Sequence, residues 1–280
     1  FKQMKILRNK YEMAAQFTLW KEAGLRIGIV PTMGNLHDGH LSLLNSLEGR
    51  ADKIVTTIYV NPLQFAPNED FNVYPRTHEQ DFAKLRETGK CDAIFLPEHM
   101  YEEGHATTIH PAGVALGYET EFRPHFFQGV ATIVHKLFQQ TGADIAVFGE
   151  KDYQQLQVIR QMVADLDLSV EILASPTIRE TDGLAMSSRN GYLAPAERQI
   201  APILYQIMQE TADQIRGGTP VDTVLSQACN KILASGFSTI DYFRYCNAQT
   251  LAKADSHIET GMLLAATHLG KVRLIDQLKV

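Results

Sequence analysis

Arg26–Leu44 reads RIGIVPTMGNLHDGHLSLL, and the parsing of the whole chain depends on it. Ile27–Val30 is a short apolar run, a Pro-Thr-Met-Gly turn follows, and a segment of helical period comes after two histidines. This predicts a buried strand, a glycine-bearing turn and a helix opening at its N-terminus. Unpaired N–H groups at such a terminus, with the positive end of the macrodipole behind them, favour phosphate. His37 and His40 fall at the first turn, so both can face one ligand. Gly34 and Gly39 let a nucleotide lie against the backbone. The segment Pro31, Thr32, Met33, Gly34, Asn35, Leu36, His37, Asp38, Gly39, His40 is therefore a candidate nucleotide triphosphate site. Two plainer readings stand beside it. The histidines could be a surface or capping pair, with Asp38 capping the helix. They could also bind metal, although zinc helices place histidines four apart with a carboxylate between. Neither accounts for the two flanking glycines.

The pattern His37-x-Gly39-His40 after a strand resembles the HIGH signature of the nucleotidyltransferase and class I aminoacyl-tRNA synthetase superfamily. The longer string PTMGNLHDGH resembles the pantothenate synthetase family, and three later segments extend the likeness over nearly the whole chain. The first is YVNPLQFAPNEDFNVYPRT (59–77), where the resemblance implies that Gln64 holds pantoate and that Asn61 stands nearby. By itself Gln64 is a neutral amide offering donor and acceptor together, in a loop after a strand. The second is GEKDYQQ (149–155): Gly149, Glu150, Lys151 and Asp152 would contact ATP, and Gln155 would join Gln64. A strand, a glycine and a lysine at a helix start already form an anion-binding arrangement. The third is MSSRN, similar in role to the synthetase KMSKS loop, with Met186, Ser187, Ser188 and Arg189 toward phosphate. Ile178 falls where the family makes a backbone contact to adenine. An acidic residue at the position of Asp81 is associated with the Mg²⁺ of bound ATP. Arg123 suits a carboxylate or phosphate through its planar fork. The family places Arg-Pro-Gly-His-Phe here, whereas this chain reads Arg123-Pro124-His125-Phe126-Phe127, with phenylalanine in the histidine position.

Composition limits the alternatives. The chain has 280 residues, 45% hydrophobic and 21% charged, with a formal net charge of −6. These values suit a soluble globular protein and provide no electrostatic footprint for nucleic acid. No apolar run reaches the ~18 residues of a membrane span, and no secretory signal is visible. Three cysteines without metal spacing (Cys91, Cys229, Cys246) fit a reducing cytoplasm. Phe1 is not an initiator, and residues 1–3 read as an extension ahead of Met4.

Further helices are expected over 11–24, 78–89, after Gly129, 153–165, 195–216 and 221–235. Strands are expected over 53–60, 92–96, 145–148, 169–173, 240–245, 262–268 and 272–278, with another around 107–114. Strand–helix alternation over 26–173 implies a parallel sheet with right-handed crossovers. The fold class is therefore α/β: a Rossmann-like doubly wound parallel sheet with a second, smaller α+β domain. The expected boundaries are 1–176 for the ATP- and pantoate-binding domain and 177–280 for a C-terminal domain closing over the active site.

The resemblance implies ATP-dependent condensation of pantoate with β-alanine through a pantoyl-adenylate, in a homodimer. His40, His37, Lys151 and Arg189 are the candidate catalytic groups. Two other classes remain open on the residues alone. A nucleotidyltransferase would leave its nucleotide on a phosphorylated acceptor. A regulatory nucleotide-binding protein would do no chemistry.

Overall fold

A computed structural model describes residues 3–280, so Phe1 and Lys2 of the expected extension lie outside the described residues. The chain divides into two compact units. The first runs to Gly149 and resumes over Gln155–Ser175; the second takes Glu150–Gln154 and Pro176–Val280.

The first unit is built on six parallel strands: β1 (Lys5–Leu7), β2 (Ile27–Thr32), β3 (Lys53–Ile58), β4 (Ala93–Phe95), β5 (Ile145–Gly149) and β6 (Glu171–Ser175), in the order β1-β4-β3-β2-β5-β6. Its helices are α1 (Lys10–Glu22), α2 (Asp38–Asn45), α3 (His78–Thr88), α4 (Glu119–Phe122), α5 (Phe126–Thr141) and, from Gln155 onward, α6 (Tyr153–Asp165). The central strands are continuous apolar runs because they are covered on both faces. Val30, Ile54, Ile58, Ile145 and Val147 pack with Leu43, Leu44, Phe82 and Leu85 of α2 and α3. The alternate residues Ile27, Ile29 and Val55 are also fully buried. In α5, Val130, Ile133, Val134, Leu137 and Phe138 make one buried stripe, and this helix packs against α1 and β2. The doubly wound sheet expected from strand–helix alternation is present.

Strand order reverses at β2: β3, β4 and β1 extend to one side, β5 and β6 to the other. Gly28 and Ile29 pair with Ile145 and Ala146 across this point. In open α/β sheets such a reversal leaves a crevice beyond the strands' carboxyl ends, where ligands bind. The turn after β2 and the end of β5 at Gly149 both lie at that edge of the sheet.

The second unit carries an antiparallel sheet in the order β7-β8-β9: Thr239–Asn247, Gly261–Leu269 and Val272–Lys279. Helices α7 (Pro195–Ile200), α8 (Ile203–Arg216) and α9 (Val221–Ala234) complete it. Leu204, Ile207, Met208 and Ile215 of α8 share a core with Val224 and Ile232 of α9 and with Phe243, Leu263 and Leu274 of the sheet.

Several elements differ from expectation. The single helix expected over 195–216 breaks at Ala201–Pro202, since proline has no N–H to continue the ladder. Helix α5 begins at Phe126, ahead of Gly129. No strand forms over 107–114; the Ile109 N–H donates to Thr132 Oγ1 at 2.9 Å. The short strand β1, which the sequence reading passes over, pairs with β4 through Lys5 and Ala93.

Candidate active site

The turn after β2 is shaped by its own hydrogen bonds. Thr32 Oγ1 donates to Thr57 O at 2.7 Å and accepts from Gly34 N at 3.1 Å. Gly34 has φ +80, and a Cβ there would lie 3.1 Å from both Asp81 Oδ2 and Ile58 Cγ2. Asn35 follows with φ 50. The chain then straightens at His37, which caps α2: its Nδ1 accepts from Gly39 N at 3.1 Å. His40 answers by accepting from His37 N on its own Nδ1, at 3.3 Å. Asp38, offered above as the cap, is instead the exposed first residue of the helix.

These two bonds decide a tautomer. A ring nitrogen that accepts an N–H carries no proton, so each neutral imidazole holds its proton on Nε2. The rings lie 4.1 Å apart at 40°. The turn therefore presents two matched Nε2–H donors from one helix start, a suitable arrangement for phosphoryl oxygens.

Asp81 does something other than expected. It is fully buried in the first turn of α3, with 0% exposure. Its carboxylate accepts from Asn35 N at 2.9 Å, Leu36 N at 2.8 Å and the Thr77 hydroxyl at 3.2 Å. Lys84, one turn later, donates to Leu36 O. The expectation set Asp81 beside magnesium; in this fold its carboxylate is engaged by these three protein donors. It braces the turn that carries His37. Among the described residues, no group of three or more His, Cys, Asp or Glu is arranged to hold a metal.

A second polar group lies at the end of β3. A 3₁₀ turn over Pro62–Gln64 presents the half-buried Gln64, while Asn61, only 1% exposed, sits beneath it. Asn61 Nδ2 donates to Gln64 Oε1 at 3.0 Å and to Gly129 O at 3.1 Å. Asn61 Oδ1 accepts from the Tyr101 hydroxyl at 2.7 Å and, at the long distance of 3.4 Å, from Leu63 N. Asn61 therefore supports Gln64 from beneath. Helix α5 comes close enough to take part only because residue 129 is glycine. A Cβ there would fall 2.3 Å from Leu63 O.

Arg123 also departs from expectation. Its Nε and Nη2 donate to Glu69 at 2.6 and 2.9 Å, and its Nη1 reaches Glu119 at 3.4 Å. Nη2 also reaches Gln64 O at 3.3 Å, and the guanidinium lies 3.9 Å over the Phe126 ring. So bonded, Arg123 ties the loop after β3 to α4. Phe126 has a clear place here as the platform under this arginine, while His125 opens α5 without a side-chain cap bond. Gln155 stands half-buried near the start of α6.

In the second unit, Glu150–Asp152 forms a 3₁₀ turn. Lys279 binds Glu150 at 3.1 Å and the Tyr153 hydroxyl donates to Ala248 O at 2.8 Å. Lys151 is 3.8 Å from Asp152 and 18% exposed. The segment from Ile178 to Arg189 is held by contacts that the sequence reading missed. Arg179 makes a two-pronged pair with Asp276 at 2.7 and 2.8 Å and lies 3.6 Å over the Tyr205 ring. Met186 N donates to Ile178 O at 2.9 Å, closing a hairpin, and Gln277 binds Thr177 at 2.9 Å. Beyond the hairpin, Ser187 caps a 3₁₀ turn over Ser188–Tyr192 by accepting from Arg189 N at 3.3 Å. No sequence signal separates Arg179 from any other loop arginine; its partner lies 97 positions away.

A family model described as pantoate-beta-alanine ligase matches residues 5–279. The chain belongs to that family. Among its relatives, the pantothenate synthetase of Rhodospirillum rubrum is 46% identical over 98% of each chain. Pantothenate synthetase 2 of Bradyrhizobium diazoefficiens is 51% identical over 91% of this chain and 90% of its own. The crystal structure of pantothenate synthetase from Thermus thermophilus has a TM-score of 0.89 at 40% identity, covering 99% of both chains. That of the Francisella tularensis pantoate-beta-alanine ligase, complexed with beta-gamma ATP and beta-alanine, has a TM-score of 0.83 at 33% identity, over 99% and 98%. The likeness first read from PTMGNLHDGH thus extends over the chain, and the family's fold is the doubly wound sheet with its smaller α+β unit.

Proposed function

We infer that the chain condenses pantoate with β-alanine at the expense of ATP, releasing AMP and pyrophosphate. The observation that carries this reading is a family likeness running from residue 5 to residue 279, with the paired-imidazole turn inside it. In the first step a pantoate carboxylate oxygen attacks the α-phosphorus of ATP. A P–O bond to it forms, and the P–O bond to pyrophosphate breaks. The carboxylate is ionised at neutral pH, so no general base is needed. What remains is in-line positioning and stabilisation of charge on the phosphoryl oxygens. The Nε2–H donors of His37 and His40 suit that task, as do Lys151, Ser187, Ser188 and Arg189, with backbone contacts from Pro31–His40 and Gly149–Asp152. In the second step the free amine of β-alanine attacks the acyl carbon of the pantoyl-adenylate and AMP leaves. Gln64 and Gln155 are assigned to pantoate. Mg²⁺ belongs to the nucleotide substrate, held by its phosphates and water.

Incubation with ATP, Mg²⁺ and pantoate, followed by mass spectrometry, tests the reaction. Pantoyl-adenylate without β-alanine, turning to pantothenate and AMP with it, is the expected result. A nucleotide retained on the acceptor would overturn the reading. Lys151→Ala is expected to slow adenylate formation about a hundredfold in a single-turnover quench; an unchanged rate removes Lys151 from the first step. No helix among the described residues is long and apolar enough to cross a membrane, and a cytoplasmic homodimer is the proposed form. Light scattering at the mass of one 31.3 kDa chain would reject the dimer.

A further inference from the structure

Glutamine is ambiguous as a recognition group. Rotating its amide by half a turn exchanges an acceptor for two donors at almost no cost, so which end meets a ligand depends on its neighbours. In this protein the neighbours decide. Gly129 O can only accept, and Leu63 N can only donate. Between them the Asn61 amide has one orientation, with Nδ2 toward Gly129 and Oδ1 toward Leu63. The same Nδ2 faces Gln64 and must meet an acceptor, so Gln64 turns Oε1 inward at 3.0 Å. Its Nε2 then faces the other way, 3.5 Å from Met33 Sδ in the turn after β2.

Tyr101 closes the arrangement. Its hydroxyl donates to Asn61 Oδ1 at 2.7 Å, the shortest of these bonds. The ring is held edge-on by Tyr59 at 6.4 Å and against His105 at 4.9 Å, with Lys136 Nζ 5.6 Å above its centroid. Burial pushes the Tyr101 phenol well above its ordinary pKa, so the hydroxyl keeps its proton and remains a donor.

We propose that Tyr101 is a positioning residue for the acid substrate: through Asn61 it fixes Gln64 with its NH₂ turned outward, making this subsite selective for a hydrogen-bond acceptor. The proposal rests on the assignment of Gln64 to pantoate. It adds a residue 37 positions beyond Gln64 in the chain (101 − 64) to the apparatus that reads the acid. It also states what Gln64 reads, namely a carboxylate or hydroxyl oxygen and never an N–H.

A double-mutant cycle tests it, using steady-state kinetics on the full chain. Gln64→Ala is expected to raise the pantoate KM at least tenfold. Tyr101→Phe, which removes only the hydroxyl, is expected to raise it about fivefold, the value of one neutral hydrogen bond. The KM for ATP should stay unchanged in both. The decisive value is the double mutant, whose pantoate KM should equal that of Gln64→Ala alone, because the hydroxyl acts only through the amide. Multiplying effects, or an unchanged pantoate KM in Tyr101→Phe while Gln64→Ala is impaired, overturns the relay. An unchanged pantoate KM in Gln64→Ala removes Gln64 from the subsite, and the proposal with it. A general loss of packing in Tyr101→Phe would lower the melting temperature and raise the ATP and pantoate KM values together, which also counts against it.

Discussion

His40→Ala is expected to lower pantoyl-adenylate formation by about 10²–10³-fold, the usual cost of losing one donor aimed at developing oxyanion charge. Alanine removes two things at once: the Nε2–H proposed to meet the phosphates, and the Nδ1 acceptor that holds His37 N. Two further variants separate them. His40→Asn keeps an acceptor near the Nδ1 position and loses the distal donor, so it should fold normally and be as slow as His40→Ala. His40→Gln places an amide NH₂ near the Nε2 position and should recover part of the rate. The readout is pyrophosphate release in a single turnover with ATP and pantoate. Near-normal release from His40→Asn would remove the donor role.

Asp81→Asn carries the second large effect, and it separates two jobs for one carboxylate. As a brace, Asp81 satisfies the N–H groups of both Asn35 and Leu36. An asparagine can serve only one of them and presents its own NH₂ to the other. A buried backbone donor left without a partner costs about 1–3 kcal/mol. The melting temperature should therefore drop by several degrees, on the order of 2–4 °C per kcal/mol. Because His37 follows Leu36 directly, kcat/KM should fall about ten- to a hundredfold, the scale expected for a misplaced catalytic group. The Mg²⁺ concentration giving half-maximal rate should not move. A raised Mg²⁺ requirement at unchanged melting temperature would reinstate Asp81 as a cation ligand.

What could be read from the sequence was local. The strand, turn and first helix over 26–44 are encoded within a few residues of one another, as is the buried stripe of α5. Periodicity and turn chemistry recover such elements. The pairing of the two histidines was legible, because their spacing places both at one helix start. What escaped was how polar side chains are used. Arg123 looked available until Glu69, 54 positions away, was seen to occupy it. Asp81 was expected only beside the Mg²⁺ of ATP, yet the backbone groups it braces lie 45 and 46 positions upstream. Asn61 and Tyr101 are 40 positions apart, in a region without period. A side chain's chemistry is written in its own letter. Whether that chemistry is already occupied depends on neighbours that only the fold supplies.

The division of the chain into its two units also limits how this enzyme can be taken apart. The backbone passes from one unit to the other at Gly149, returns after Gln154, and leaves again after Ser175. The smaller unit is therefore no module that can be moved at a single joint. A fragment starting at Pro176 would lack Glu150, the partner of Lys279, and Tyr153, whose hydroxyl binds Ala248. Recombination or truncation at that boundary would separate the smaller unit from five of its own residues, Lys151 among them. Viable chimaeras between relatives should carry 150–154 and 176–280 from the same parent.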